Sequence, residues 1–300
     1  MKIRNILIII ALALLFTGIG VCSVSVFALH FNLDALNTEK LVTREYDITE
    51  SFDKISVDVD TDDLIFKKST DGKCHVTCLE LEDTPHDVKV SSGTLTVSES
   101  KNKKIRFFSI GFYKEDPTIT VSLPEANYNS VLIKTDTGDL QLCELSATEF
   151  NAESDTGDLD IENLKAPKTG LRTDTGEIIL RDATIDTLSV STDTGDIKQA
   201  NVSAESINIS TDTGEIDLEN VVASGDLDIK SDTGDVSFDG CDAGSIRVKT
   251  TTGSVSGSLL TDKVFLTESE TGDISVPKTT TGGNCEVTTD TGDIDLEIRN

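Results

Sequence analysis

The chain has 300 residues, 54 of them acidic and 26 basic, for a formal net charge of −28. Such a surface repels phosphate and excludes nucleic acid as a partner. With no tryptophan and 5% aromatic residues, a single bulky core is excluded too, and a thin core of stacked aliphatics suits the composition better.

Residues 1–29 read as a membrane segment. Lys2 and Arg4 precede an uncharged run from Ile6 to Leu29, long enough to span a bilayer. The flanking positive charges place the short N-terminus in the cytoplasm and the remainder outside, giving a single-pass protein of the cell membrane. The rival reading is a secreted protein whose signal peptide is cleaved near Val26-Phe27-Ala28. A lipid anchor on Cys22 is weaker, because Val21 stands where a small residue is expected. Every version exports residues 30–300. Residues 30–50 are polar and mixed, and read as a stalk.

Residues 51–126 read as an N-terminal β region. Ile55, Val57 and Val59 alternate with polar residues, as in a half-buried strand. Asp60-Thr61-Asp62-Asp63 follows, a worn copy of a phrase that dominates the rest of the chain, with Asp62 in its glycine position. Asp tolerates a left-handed backbone better than most residues. Cys74 and Cys78 fall on one strand face, about 13 Å apart at ~3.3 Å per residue, too far for a disulfide and consistent with buried thiols. His75 points to the opposite face, which disfavours a Cys-His-Cys metal site. Lys101 to Lys114 mixes basic residues with Phe107, Phe108, Phe112 and Tyr113. It reads as a long hairpin folded back over the first coil, with contact to an anionic membrane surface as the alternative. The six cysteines show no CxxC and no paired spacing.

Residues 127–300 repeat the phrase Asp-Thr-Gly-Asp. Its glycines are Gly138, Gly157, Gly176, Gly195, Gly214, Gly234, Gly253, Gly272 and Gly292, and successive differences are 19, 19, 19, 19, 20, 19, 19 and 20. So regular a period is a repeat architecture. Counted from each glycine, position −3 is always Ser or Thr, and position +2 is always Leu, Ile or Val. Positions −7 and −5 are apolar except Thr169 and Thr267. Alternation cannot keep odd and even positions on one face, so the chain must turn within Asp-Thr-Gly. A second corner is signalled at +6 by Asn163, Asp182, Asn201 and Asn220. The 20-residue intervals place their extra residue at Ser224-Gly225 and Gly282-Gly283. A meander of hairpins fits this pattern, but a parallel β-solenoid fits better, because stacking each position on itself every ~4.8 Å explains why whole columns keep one residue type. The fold class is therefore all-β: a parallel β-solenoid of about nine 19–20-residue coils, preceded by a short-strand region and an N-terminal transmembrane helix.

Two acidic columns flank each Thr-Gly. Position −2 holds Asp136, Asp155, Asp174, Asp193, Asp212 and Asp232; position +1 holds Asp139, Asp158, Glu177, Asp196, Glu215 and Asp235. The plain reading is turn chemistry, with the −2 Asp bonding its own turn. The sharper one is a calcium site or partner face built from carboxylates of neighbouring coils. No other cofactor is signalled. Asp-Thr-Gly is also the catalytic phrase of aspartic proteases, but here it recurs in one structural role, and His30, His75 and His86 suggest no Ser-His-Asp arrangement. The chain reads as a non-enzyme. Its final coil, ending at Ile298-Arg299-Asn300 without an obvious cap, is an open edge for weak self-association.

The repeated [Ser/Thr]-Asp-Thr-Gly-[Asp/Glu]-[Ile/Leu/Val] phrase behind a membrane segment resembles the DUF4097 family of bacterial β-strand-repeat proteins, often labelled adhesins. The resemblance covers about residues 45 to 300 and includes Phe52-Asp53-Lys54-Ile55-Ser56-Val57 and the strand Pro117 to Pro124. It implies a β-helix-like fold on the cell surface, in some members membrane-anchored and linked to envelope-stress operons, and brings no catalytic residues. The Gly253 copy, with Thr251 and Ser254, departs from the acidic pattern. The expected function is an adhesin-like surface that meets the membrane through its N-terminal helix and binds a surface or envelope protein. The alternatives are an envelope-stress regulator or sensor, and a calcium-dependent scaffold.

Overall fold

A computed structural model describes residues 11–12, 14–20, 40–100 and 115–299. Residues 11–12 and 14–20 are helical, with Leu12, Leu14, Leu15, Phe16 and Ile19 exposed. Among the described residues no helix is long and apolar enough to cross a membrane. Most of the expected anchor, Cys22, the first part of the expected stalk and the stretch Lys101–Lys114 lie outside the described residues.

The N-terminal region holds β1 (Leu41–Ile48), β2 (Lys54–Val59), β3 (Asp63–Lys68), β4 (Cys74–Leu81), β5 (His86–Ser91), β6 (Thr94–Glu99) and β7 (Thr118–Leu123). β1 corrects the stalk reading. Val42, Tyr46 and Ile48 recur at even spacing, and the strand pairs antiparallel with β4 from Leu41↔Leu81 to Ile48↔Cys74. The body follows with β8 (Asn127–Tyr128), β9 (Ser130–Thr137), β10 (Leu140–Ala147), β11 (Glu149–Thr156), β12 (Leu159–Lys165), β13 (Lys168–Thr175) and β14 (Ile178–Thr184). It continues with β15 (Thr187–Thr194), β16 (Ile197–Ala204), β17 (Ser206–Thr213), β18 (Ile216–Glu219), β19 (Val222–Thr233), β20 (Val236–Thr252) and β21 (Val255–Leu259). The far end comprises β22 (Lys263–Thr271), β23 (Ile274–Ser275), β24 (Gly283–Thr291) and β25 (Ile294–Ile298).

The body is a parallel β-solenoid of about nine turns. One wall stacks β9, β11, β13, β15 and β17, then the second half of β19 and of β20, each parallel to the next. The other stacks β10, β12, β14, β16, β18, the start of β20, and β21. Position +2 stacks on itself as Leu140↔Leu159↔Ile178↔Ile197↔Ile216↔Val236↔Val255, and all these residues are buried. The core is thus a set of aliphatic columns between two walls. Gln199, at +4 between Leu180 and Leu218, is a polar member of these columns: it is 2% exposed, and neither end of its amide has a protein partner.

Both corners are stereochemical necessities. Gly214 has φ 151°, and a Cβ there would lie 2.0 Å from the carbonyl oxygen of Gly195 in the coil below. The glycine serves the close approach of coils as well as the turn. At +6, Glu144, Asn163, Asp182, Asn201 and Asn220 are all left-handed, with φ between 51° and 67°, and Gly240 takes the same place at 65°. Amide side chains knit this corner: Asn201 donates to Asp182 at 2.9 Å, and Asn220 to Asn201 at 3.2 Å. The extra residue of the Gly214–Gly234 interval forms a bulge between Ala223 and Asp226, as its sequence predicts.

The ends break the chain order. At the N-terminal end, β2 lies between β6 and β9, and β3 between β7 and β10. The first coil is therefore the second layer, and β6 with β7 lies outside it. Antiparallel strands finish this end, β5 on β6 and β4 on β7. Register sets Leu64 against Leu140, so Asp62 does occupy the glycine position, yet its φ is not positive. At the far end, β24 lies between β20 and β22, and β25 between β21 and β23. The expected open final coil is thus paired on both sides, and the outer edge is β22–β23. The exchange has a visible cause. β24 and β25 bring Cys285, Val287, Ile294 and Leu296 to the core, all buried, whereas β22 and β23 carry Thr267 in an apolar column and are stopped by Pro277.

Candidate functional site

The two acidic columns, alike in sequence, do different work. At +1 the carboxylate reaches across to the next coil. Asp139 accepts the amide N–H of Asp158 at 2.9 Å, Asp158 that of Glu177 at 2.7 Å, Asp196 that of Glu215 at 2.8 Å, and Asp235 that of Ser254 at 2.7 Å. Asp63 begins the series by accepting from Asp139 at 3.0 Å. Burial pushes the Asp63 carboxyl above the usual carboxylate range, against the lowering effect of that amide. The longer Glu177 instead pairs with Lys198, at 2.5 Å. The charged acceptor satisfies an amide at the corner that ladder bonds leave over.

Three buried hydroxyls at −3 complete the joint in the middle coils, whereas those of Thr135, Ser154, Ser231 and Thr250 are buried without a bond. Thr173 donates to the carbonyl of Gly157 at 3.1 Å, Thr192 to Gly176 at 3.3 Å, and Thr211 to Gly195 at 3.3 Å. The −2 aspartates take no such part. Asp136, Asp155, Asp193, Asp212 and Asp232 are exposed, and Asp174 is half-buried. Asp174 and Asp193 meet Arg172 at 2.6 and 3.2 Å, and Asp232 meets Lys230 at 3.5 Å. The expected bond from −2 to its own turn is replaced by the +1 bond between coils. Among the described residues no three ladder carboxylates converge as metal donors do; the residues that converge lie elsewhere.

An open groove of about 310 Å³, lined by residues such as Lys68, Glu125, Tyr128, Glu144, Asn163 and Asp182, places Lys68 against Glu125 and Glu144 at 2.9 and 2.8 Å. Its lining contains no nucleophile paired with a base. Cys74 and Cys78 are buried as expected, with their thiols pushed up to about 12 by burial. His75 faces outward between Asp47 and Asp71, at 2.7 and 3.1 Å.

The convergent cluster that sequence reasoning missed lies at the N-terminal end. His86 is 7% exposed, and its Nδ1 lies 2.5 Å from Glu80 Oε2. Its Nε2 faces Asp62 Oδ2 at 3.1 Å and Glu99 Oε1 at 3.7 Å. Arg44 holds the other oxygen of Glu80. Burial alone would lower the imidazole pKa, but bonds and charges from Asp62 and Glu80 outweigh it and hold it at about 9. Two signals were present in the sequence. Glu80 continues the inward series Cys74, Val76, Cys78, and Asp62 interrupts the glycine column.

One solved structure shares this architecture, and two others are more weakly similar. A putative lipid binding protein from Parabacteroides distasonis is 18% identical over 87% of this chain and 98% of its own, with a TM-score of 0.53. A putative adhesin from Bacteroides fragilis is 21% identical over 86% of this chain and 97% of its own, at 0.49. Another from Parabacteroides merdae is 17% identical over 87% and 98%, at 0.48. At these identities the likeness concerns the fold alone. No curated protein matches the chain. The Toastrack DUF4097 family model matches residues 52–220 and 177–300, the span over which corner glycines, cross-coil aspartates and buried hydroxyls recur, and the chain belongs to that family.

Proposed function

We propose that this protein is a non-enzymatic, adhesin-like module of the cell surface, a stiff rod that displays its −2 aspartates to a partner with a basic surface. The observation that carries the reading is the division of labour between the acidic columns. The +1 carboxylates hold coils together, whereas Asp136, Asp155 and Asp212 face solvent. Like charges ~4.8 Å apart cost roughly 0.9 kcal/mol per pair even in water, and the fold gains no bond from them in return. A row at fixed spacing suits polyvalent binding, in which weak contacts add without new ordering cost. The adhesin names of structural neighbours agree with this reading. An N-terminal membrane anchor, with residues 30–300 outside, would place the rod at the surface.

The test is attachment of beads coated with the full chain to cells and matrix, in parallel with a variant carrying Asp136→Asn, Asp155→Asn, Asp212→Asn and Asp232→Asn. Attachment that is salt-sensitive and lost in the variant, with unfolding unchanged, supports the proposal. Attachment that survives the variant moves the binding face elsewhere, and attachment to nothing sinks the adhesin reading.

A further inference from the structure

The buried cluster at the N-terminal end has no part in the solenoid's repeating bonds. It joins three elements. Asp62 sits just before β3 in the first coil, and His86 and Glu99 oppose each other directly across the β5–β6 pair. We propose that Asp62 (through Oδ2), His86 (through Nε2) and Glu99 (through Oε1) form a binding site for one divalent transition-metal ion of the zinc class, with Glu80 as the positioning residue that holds the ring through Nδ1.

Geometry is the first argument. Three donor atoms, one from each residue, all lie within 4.8 Å of one another. Tetrahedral zinc with bonds near 2.1 Å needs donors about 3.4 Å apart. The Nε2–Asp62 and Nε2–Glu99 separations, 3.1 and 3.7 Å, bracket that edge. The second argument is the ring's orientation. A ligating imidazole characteristically gives its other N–H to a carboxylate, which fixes tautomer and tilt. Glu80 is in that place, 1% exposed, and is itself held by Arg44. The third is charge. Asp62 is 3% and Glu80 1% exposed, and the Glu99 side chain is 20% exposed. Carboxylates buried this deeply beside one imidazole favour a divalent cation among them, as buried charge requires.

Donor type selects the metal. One imidazole and two carboxylates suit zinc, manganese or ferrous iron over calcium or magnesium, which favour all-oxygen sites. The second grouping, Cys78 with Glu80 and His86, is the weaker set, because burial keeps the Cys78 thiol protonated and Glu80 already occupies Nδ1. Three protein ligands leave a fourth tetrahedral position for water or a further ligand.

The experiment uses the full chain, stripped with chelator and titrated with cobalt(II) and zinc. The surface is strongly acidic, so loose cation binding is expected everywhere and the variants decide. The expected result is one equivalent bound, visible cobalt bands of four- or five-coordinate N/O type, and a zinc-dependent rise in melting temperature that calcium does not reproduce. Glu99→Gln, the least buried change, should weaken zinc at least tenfold with an unchanged far-UV spectrum. His75→Asn, which alters the exposed histidine between Asp47 and Asp71, should leave cobalt bands and affinity intact. Absence of cobalt bands overturns the proposal, and so does zinc binding that Glu99→Gln leaves unchanged. Loss of the bands in His75→Asn would move the metal to the exposed histidine and overturn it as well.

Discussion

The middle coils and the two ends are made of the same strands but held together differently. Between Gly138 and Gly253 the order of coils in space is their order along the chain, every corner repeats one glycine contact, and several add a −3 hydroxyl bond or a +1 acceptor. At the ends the order is exchanged, antiparallel strands appear, and charge moves inward. His86 with Asp62 and Glu80 lies under the N-terminal layers, and Lys263, 2% exposed, pairs with Asp242 at the far end. A repeat can specify an interior, because every interior coil has the same two neighbours. An end coil lacks one neighbour, so its closure must be written in residues that occur once.

The largest expected effect breaks the interior. Gly214→Ala puts a methyl 2.0 Å from the Gly195 carbonyl in a backbone region that side chains avoid, and should cost about 4 kcal/mol, read by denaturant unfolding. A cost near that of a surface Gly→Ala change would show that coils can slide apart and would remove the steric account of the glycine column. Next comes the far end. Lys263→Ala leaves Asp242 without its buried partner, and about 3 kcal/mol of destabilisation is expected. Hydrogen exchange should place the loss in β22–β25 and leave β11–β17 protected, and uniform loss would mean that ends and interior unfold as one unit.

Gln199→Leu should act in the opposite direction. It replaces a buried, unpaired amide by an aliphatic that matches Leu180 and Leu218, and a gain of about 1–2 kcal/mol is expected. The smallest effect separates the acidic columns. Asp196→Ala should cost about 1 kcal/mol by orphaning the Glu215 amide, whereas Asp212→Ala should stay within about 0.5 kcal/mol of wild type. Equal costs would refute the division of labour on which the proposed binding face rests.

The interior was legible because its signals are periodic. The apolar +2 column, the +6 corner at Asn163, Asp182, Asn201 and Asn220, and the bulge at Ser224-Gly225 were all read from spacing, whereas the left-handed backbone of that corner was not. The roles of the acidic columns were not. Asp155 and Asp158 are equally polar neighbours of one glycine, and only the direction of a carboxylate across the gap between coils distinguishes them. The exchanged ends were hidden for a related reason. The Gly272 and Gly292 copies share Thr-Gly-Asp-Ile, so the period cannot say which stacks on Gly253, and the answer lies in Thr267 and Pro277 against Val287 and Leu296. His86 gave no periodic signal, since its partners lie 24, 6 and 13 residues away.

The exchange at the far end bears on how the molecule is assembled over time. A ribosome delivers β22 and β23 before β24 and β25. The growing edge of β20 and β21 is therefore offered the wrong strands first, in a compatible parallel orientation. Final closure requires β22 to wait or to be displaced, so the last layers cannot simply wind on as they emerge. A premature β20–β22 pairing is the competitor this order leads one to expect, and escape from it is the expected slow step in maturation.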